Sequence, residues 1–215
     1  MFLYRFTLKW MFGMPKNALE TYNADDSGPL ATPYSGSNVA PEARIDYLLH
    51  QNFLRQWSGP NLTHTTKRFK RALRSRIDLL DFTGIWKEVD DFYQMFAKVV
   101  SASLIESIFG PALLRLNPGF VENLWTYDDC VPWLVRGVPS FLIPGSYRIR
   151  DDLRHQIKGW YKYARQEFHE SAIDPDGDGD PFWGSEFVRY LQNNLSEWGH
   201  DDDALSAQDL GTIWG

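Results

Sequence analysis

Cysteine is almost missing from this chain: Cys130 is the only one in 215 residues. A lone thiol excludes an internal disulfide framework and a cysteine-based structural zinc site. Two acids precede it in Asp128-Asp129-Cys130, and they would raise a thiol pKa, so an inert side chain is expected. The five histidines, His50, His64, His155, His169 and His200, have no paired-ligand spacing, and no metal site is expected from them. A glycine-rich phosphate loop and a G-x-S-x-G elbow are both lacking. So is any excess of basic charge: the formal net charge of −6 argues against a general nucleic-acid binder. Long apolar runs are lacking too. The opening MFLYRFTLKWMFGM is short and is broken by Arg5 and Lys9, so no segment is expected to span a membrane. The chain as given is expected to be soluble or peripheral. Repeats and strand-like alternation are absent, and no catalytic constellation is visible.

Aromatic residues are plentiful, at 15% of the chain within a hydrophobic share of 43%. Rings in that number either fill a core or line an apolar cavity. The apolar spacing is helical throughout. Phe2, Leu3, Phe6, Trp10 and Met11 mark a helix over residues 2–14, and a flexible loop rich in Asp, Gly, Pro and Ser follows over 23–41. A helix over 41–56 carries Ile45, Leu48, Leu49 and Leu54 on one side. A basic helix over 61–77 has a thin stripe of Leu62, Phe69 and Leu73. Gly84 restarts the chain, and a long helix over 89–109 is broken by Gly110-Pro111. Residues 111–136 hold a short helix and a second one, divided at 117–119. A connection rich in Pro and Gly covers 137–146. A helix over 147–170 buries Ile149, Leu153, Ile157 and Trp160, an acidic loop covers 171–184, and another helix runs over 185–198. Ser206 is the expected N-cap of the last helix, with Asp209 in its first turn.

Asp174-x-Asp176-x-Asp178-Gly179 has the first half of an EF-hand calcium loop. Its twelfth position is Ser185 where a bidentate carboxylate is needed, and its eighth is Pro181. A solvated acidic loop is the alternative. The basic run from Lys67 to Arg76 reads as an anion site or as a solvated helix face.

Taken in order, several segments resemble the cytochrome P-450 family, above all the sterol 7α-hydroxylase and prostacyclin-synthase type with its fungal relatives. Arg44 to His50, with the step from Ser58 to Leu62, is similar to the passage into helix C of that family. Trp86 to Asp90 and Ala97 to Gly110 resemble helix E. Asn117-Pro118 with Phe120 and then Asp128 or Asp129 resembles the entry to helix F, and Gly137-Val138-Pro139 the F–G connection. Gly184 to Arg189 resembles the segment after helix G, and Leu205 to Trp214 the opening of helix I. The resemblance implies a mostly α, partial cytochrome P-450 fold over 1–215, from about helix B to the start of helix I, without the half that carries the heme thiolate.

The resemblance further implies a heme-dependent monooxygenase acting on a lipophilic, sterol- or fatty-acid-like substrate. Electrons would come from NADPH through NADPH-cytochrome P-450 reductase at the endoplasmic reticulum membrane. The iron-binding cysteine loop is not in this chain, so no catalytic, heme-binding or metal residue is assigned, and the chain alone is expected to be inactive. The family's Trp-x-x-x-Arg heme contact is also missing. In its place stand residues 65–70, where Lys67 or Arg68 would have to reach a propionate. Leu210 and Trp214 are the expected substrate-lining residues, with ordinary helix packing as the alternative. Phe141-Leu142-Ile143 would touch a membrane surface or pack on the following helix. Two other readings stand beside this one: a calcium-binding helical module, and a non-enzymatic helical interaction protein. The heme reading requires an open apolar face on the helical assembly.

Overall fold

The structure is a computed structural model that describes residues 2–80, 86 and 88–215, with the backbone alone for residues 2–5. The expectations for Gly84, Lys87 and the side chains of Phe2 and Leu3 lie outside the described residues. The chain is mostly helical, and among the described residues there is no strand. Among the described residues nine α-helices follow in order: α1 Phe2–Trp10, α2 Lys16–Ala24, α3 Ile45–Gln56, α4 Gly59–Leu79, α5 Phe92–Leu116, α6 Phe120–Leu134, α7 Pro144–Glu167, α8 Glu186–Glu197 and α9 Asp202–Trp214.

Helix α9 is the centre of the fold. All seven residues from Ala204 to Leu210 are buried, so it has no solvent face over two turns. Helices α7, α8 and α1 pack around it. The rings fill the core. Phe109, Trp160, Tyr161 and Trp183 form one cluster, with ring centroids 5.3 to 6.0 Å apart. Each buried ring contributes roughly 1.5 to 3 kcal/mol over leaving it in water. Buried polar tips are paired: the Trp160 Nε1 donates to the Phe182 carbonyl at 2.7 Å, and the Tyr127 hydroxyl to the Met11 carbonyl at 2.9 Å.

The helix break at Gly110 has a cause outside its own helix. Gly110 takes φ 75° and ψ 168°, and Gly184 takes φ 90°. The two backbones touch: a Cβ on Gly184 would lie 2.3 Å from the Gly110 nitrogen. Only glycine at both sites allows this crossing. The Ser185 amide then donates to the Ile108 carbonyl at 2.8 Å, a carbonyl left free by the break.

Several local expectations are corrected. The cap of α9 is Asp201, whose side chain accepts from the Ala204 amide at 2.9 Å; the Ser206 hydroxyl turns back to the Asp203 carbonyl inside the helix. Three consecutive acids at 201–203 suit the positive end of the helix dipole, which fixes the earlier start. Asp209 is therefore not in the first turn but in the buried middle. Pro41–Ala43 form a 3₁₀ turn, and α3 begins after Arg44 leaves helical geometry. Its core face is Ile45, Leu49, Asn52 and Gln56, while Leu54 is exposed. In α4 the buried residues are the small Thr65 and Ala72, and Leu62 is largely exposed. Helix α2 falls where the sequence reading places no element. By length and composition α5 would be long enough to cross a bilayer, contrary to the reading of the sequence. Its second half lies in the core, with Ile105, Ile108, Phe109, Ala112 and Leu113 all buried.

The first half of α5 is different. Phe92, Phe96 and Leu104 lie one to two turns apart and are exposed, beside Tyr93. Leu79 and Trp86 are exposed as well. These exposed apolar side chains lie along the first half of α5 and in the segments before it.

Candidate functional site

The loop before α3 is held by one side chain. The Arg44 guanidinium is buried and donates to the Ser27 hydroxyl at 3.0 Å, to the Ala31 carbonyl at 2.9 Å and to the carbonyls of Gly28 and Leu30. It also lies over the Tyr47 ring at 4.4 Å. Asp25 completes the anchor. One of its oxygens accepts from the amide and hydroxyl of Ser27, and the other accepts from the Asp46 amide at 2.9 Å. The break in helical geometry at Arg44 is what lets its side chain serve the loop.

Between this loop, α3 and α9 lies a concavity of about 500 Å³. Gly28, Pro29 and Tyr34 come from the loop, and Asp46, Leu49, His50 and Phe53 from α3. Gln208 comes from α9 and is held there by the Tyr22 hydroxyl, which donates to its Oε1 at 3.1 Å. The lining is mainly apolar, with a few convergent polar groups, as small-molecule sites are.

A second concavity of about 200 Å³ lies where α5, α6 and α9 meet, lined by Leu104, Ile105, Leu124, Trp125, Ile213 and Trp214 among others. The Trp214 indole donates to Asp128 Oδ1 at 2.8 Å and packs near Phe12. The Trp125 indole nitrogen is buried without a partner. Of the two residues expected to line a substrate, Trp214 thus borders a concavity, and Leu210 is fully buried in the core. The sequence reading missed Gln208, His50 and Tyr34. The run of polar residues at 206–209 gives no periodic signal for which of them faces a cavity.

The acidic loop is a clasp. Arg68 of α4 pairs with Asp178 and also donates to the Ser107 carbonyl of α5 at 2.8 Å. Arg189 of α8 pairs with Asp180. His64 Nδ1 lies 2.8 Å from Asp176, and the Asp178 carboxylate accepts from the Glu186 amide. Among the described residues no group of three or more His, Cys, Asp and Glu is arranged to hold a metal ion. Arg68 is thereby engaged by Asp178 and the Ser107 carbonyl. Cys130, the chain's single thiol, sits half-buried on α6 against the core and does not fit a heme-iron ligand.

Three curated proteins are similar to this chain. The cytochrome P450 monooxygenase efuG of Hormonema carpetanum is 26% identical over 174 residues, 79% of this chain and 31% of that protein. The cytochrome P450 monooxygenase fsoE of Humicola fuscoatra is 30% identical over 130 residues, 60% of this chain and 22% of that protein. The cytochrome P450 monooxygenase calL of Penicillium decumbens is 23% identical over 194 residues, 86% of this chain and 36% of that protein. No family model matches the chain, and no solved structure matches it. The chain spans between 22% and 36% of the length of these relatives. The strandless helical architecture is consistent with part of a cytochrome P450 fold, and the three fungal likenesses support the cytochrome P450 monooxygenase family for this chain.

Proposed function

We propose that the chain is part of a heme-dependent monooxygenase, and that the concavity between the 25–40 loop, α3 and α9 is one wall of its substrate site. The observation that carries the reading is the lining of that concavity. It is built by the loop before α3, by α3 itself and by the segment that resembles the opening of helix I, where the resemblance implies substrate-lining residues. Its apolar walls suit a lipophilic substrate of sterol or fatty-acid type, and His50, Asp46 and Gln208 suit a hydroxyl or carbonyl on it. The sterol 7α-hydroxylase-like branch belongs to this proposal. Trp214, at the second concavity, and Leu210, in the core of the same helix, belong to the proposal as the residues that the resemblance implies.

Heme, bound through residues outside this chain, would supply oxygen activation, with electrons from NADPH through NADPH-cytochrome P-450 reductase. Placement at the endoplasmic reticulum membrane follows from the same reading. Phe141 and Leu142, exposed between α6 and α7 beside Trp133, form the surface for a peripheral lipid contact. The chain alone is inactive in this account. Reconstituted with hemin and reduced under carbon monoxide, it should give no thiolate-type Soret band; such a band would refute its inactivity. The pocket is tested separately. Phe53→Ala and Gln208→Ala should each weaken binding of a sterol or fatty acid at least about threefold, read by tryptophan fluorescence, with Phe141→Ser as the control. Equal affinity in all three would remove the pocket assignment.

A further inference from the structure

Asp209 is 1% exposed, in the all-buried stretch of α9. Its Oδ2 accepts twice, from the Tyr161 hydroxyl of α7 at 2.6 Å and from the Gln192 amide of α8 at 2.9 Å. The Oε1 of Gln192 is buried and has no donor. A carboxylate has no proton to offer it, but a carboxylic acid has one. A proton on Asp209 would complete an acid–amide pair in which each partner donates once.

The groups that face Asp209 offer it no cation. From α7, Tyr161 donates to it, while Arg165 is taken up by Asp202 and Arg154 and Lys158 by Asp203. From α8 comes Gln192, and Arg189 is paired with Asp180. His200, in the turn before α9, is buried with its Nε2 unpartnered, and Tyr22 of α2 bonds to Gln208. Lys9 of α1 is exposed over the Trp10 ring. Gln192 borders a concavity of about 250 Å³ beside Arg165 and Arg189, which gives a proton a short way to solvent.

We propose that Asp209 is a proton-controlled latch on α9. As the acid it pairs with Gln192 and Tyr161 and ties α7, α8 and α9 together. As the carboxylate it loosens that junction and frees α9 to shift, carrying the adjacent Gln208 with it. Burial pushes the Asp209 carboxyl up to about 7, against the lowering effect of the Tyr161 and Gln192 hydrogen bonds, so the latch works near neutrality. The latch does not depend on what occupies the concavity beyond Gln208.

Infrared difference spectra of the purified protein, taken from about pH 5 to about pH 9, test it directly. A carboxylic-acid carbonyl band should vanish near neutrality and be missing in Asp209→Asn. No band titrating there, or the same band in the variant, overturns the proposal. Tyr161→Phe removes a donor to the carboxylate and should move the midpoint up by about half a unit or more; an unmoved midpoint also overturns it. Amide protection of α9, corrected for intrinsic exchange, should fall about tenfold above the midpoint in the wild type and stay level in Asp209→Asn. A level wild-type profile rules the latch out.

Discussion

Asp203 and Asp209 share helix α9, about 9 Å apart along its axis, and their surroundings are opposite. Asp203 lies in the first turn, half exposed, with the Lys158 ammonium at 2.7 Å and Arg154 beyond it. Lys158 holds its carboxyl below the usual range, against burial and with help from Arg154. Asp209 has neutral donors only, and burial drives it the other way. One residue type on one helix thus gives opposite pH responses. The contribution of Asp203 is complete above the ordinary carboxylate value and is lost as pH falls below it. That of Asp209 is present below about 4 and is lost as pH rises through about 7. The acidic loop sides with Asp203: Asp178 and Asp180 are paired with Arg68 and Arg189. The lesson is that the partner, more than the depth, decides what a carboxylate does to stability.

Four substitutions sharpen or break that contrast. The largest effect is expected where the acidic loop rests on backbone contact. Gly184→Ala drives a methyl into Gly110 at a positive φ and should cost about 4 kcal/mol or more in chemical denaturation. A cost under about 1 kcal/mol would mean that the crossing adapts. Arg68→Ala leaves Asp178 buried without its cation and should cost about 3 kcal/mol in chemical denaturation. A loss under about 1 kcal/mol would show that the clasp holds without this pair. Asp209→Asn mimics the acid form and should be about 1 to 2 kcal/mol more stable than the wild type at about pH 8, with no gain near pH 4. A variant less stable at both would place Asp209 with the paired acids after all. Asp203→Asn is the smallest, under about 1 kcal/mol, because the Asp203 side chain is itself half exposed to solvent. A thermal shift of more than a few degrees would show that the first turn is less open than it looks.

Much of this was legible in the sequence. Helices α7 and α8 stand within about three residues of their expected limits, because Leu153, Ile157 and Trp160 repeat on one face; α7 starts earlier than expected because Pro144 suits a first helical turn. The break at Gly110 was legible as well, but its reason was not. That reason lies 74 residues away at Gly184. The same applies at Arg44, whose task is to hold a loop by carbonyls far from any helix. Helix α2 was hidden behind Pro15 and a polar composition, with its buried side reduced to Ala18, Leu19 and Tyr22. The candidate site was the least visible. Ser206, Gln208 and Asp209 look alike in a linear reading, and only the packing of α9 on every side gives each polar group a different partner.

The crossing of Gly110 and Gly184 also sets where this polypeptide can change length. Residues 180–185 are threaded against another stretch of main chain, so an insertion there would have to displace α5. Gly177, at the tip of the same loop, faces open space. Extra residues at 175–177 would extend outward and leave the joint undisturbed, which makes that tip the natural place to graft a tag or a reporter.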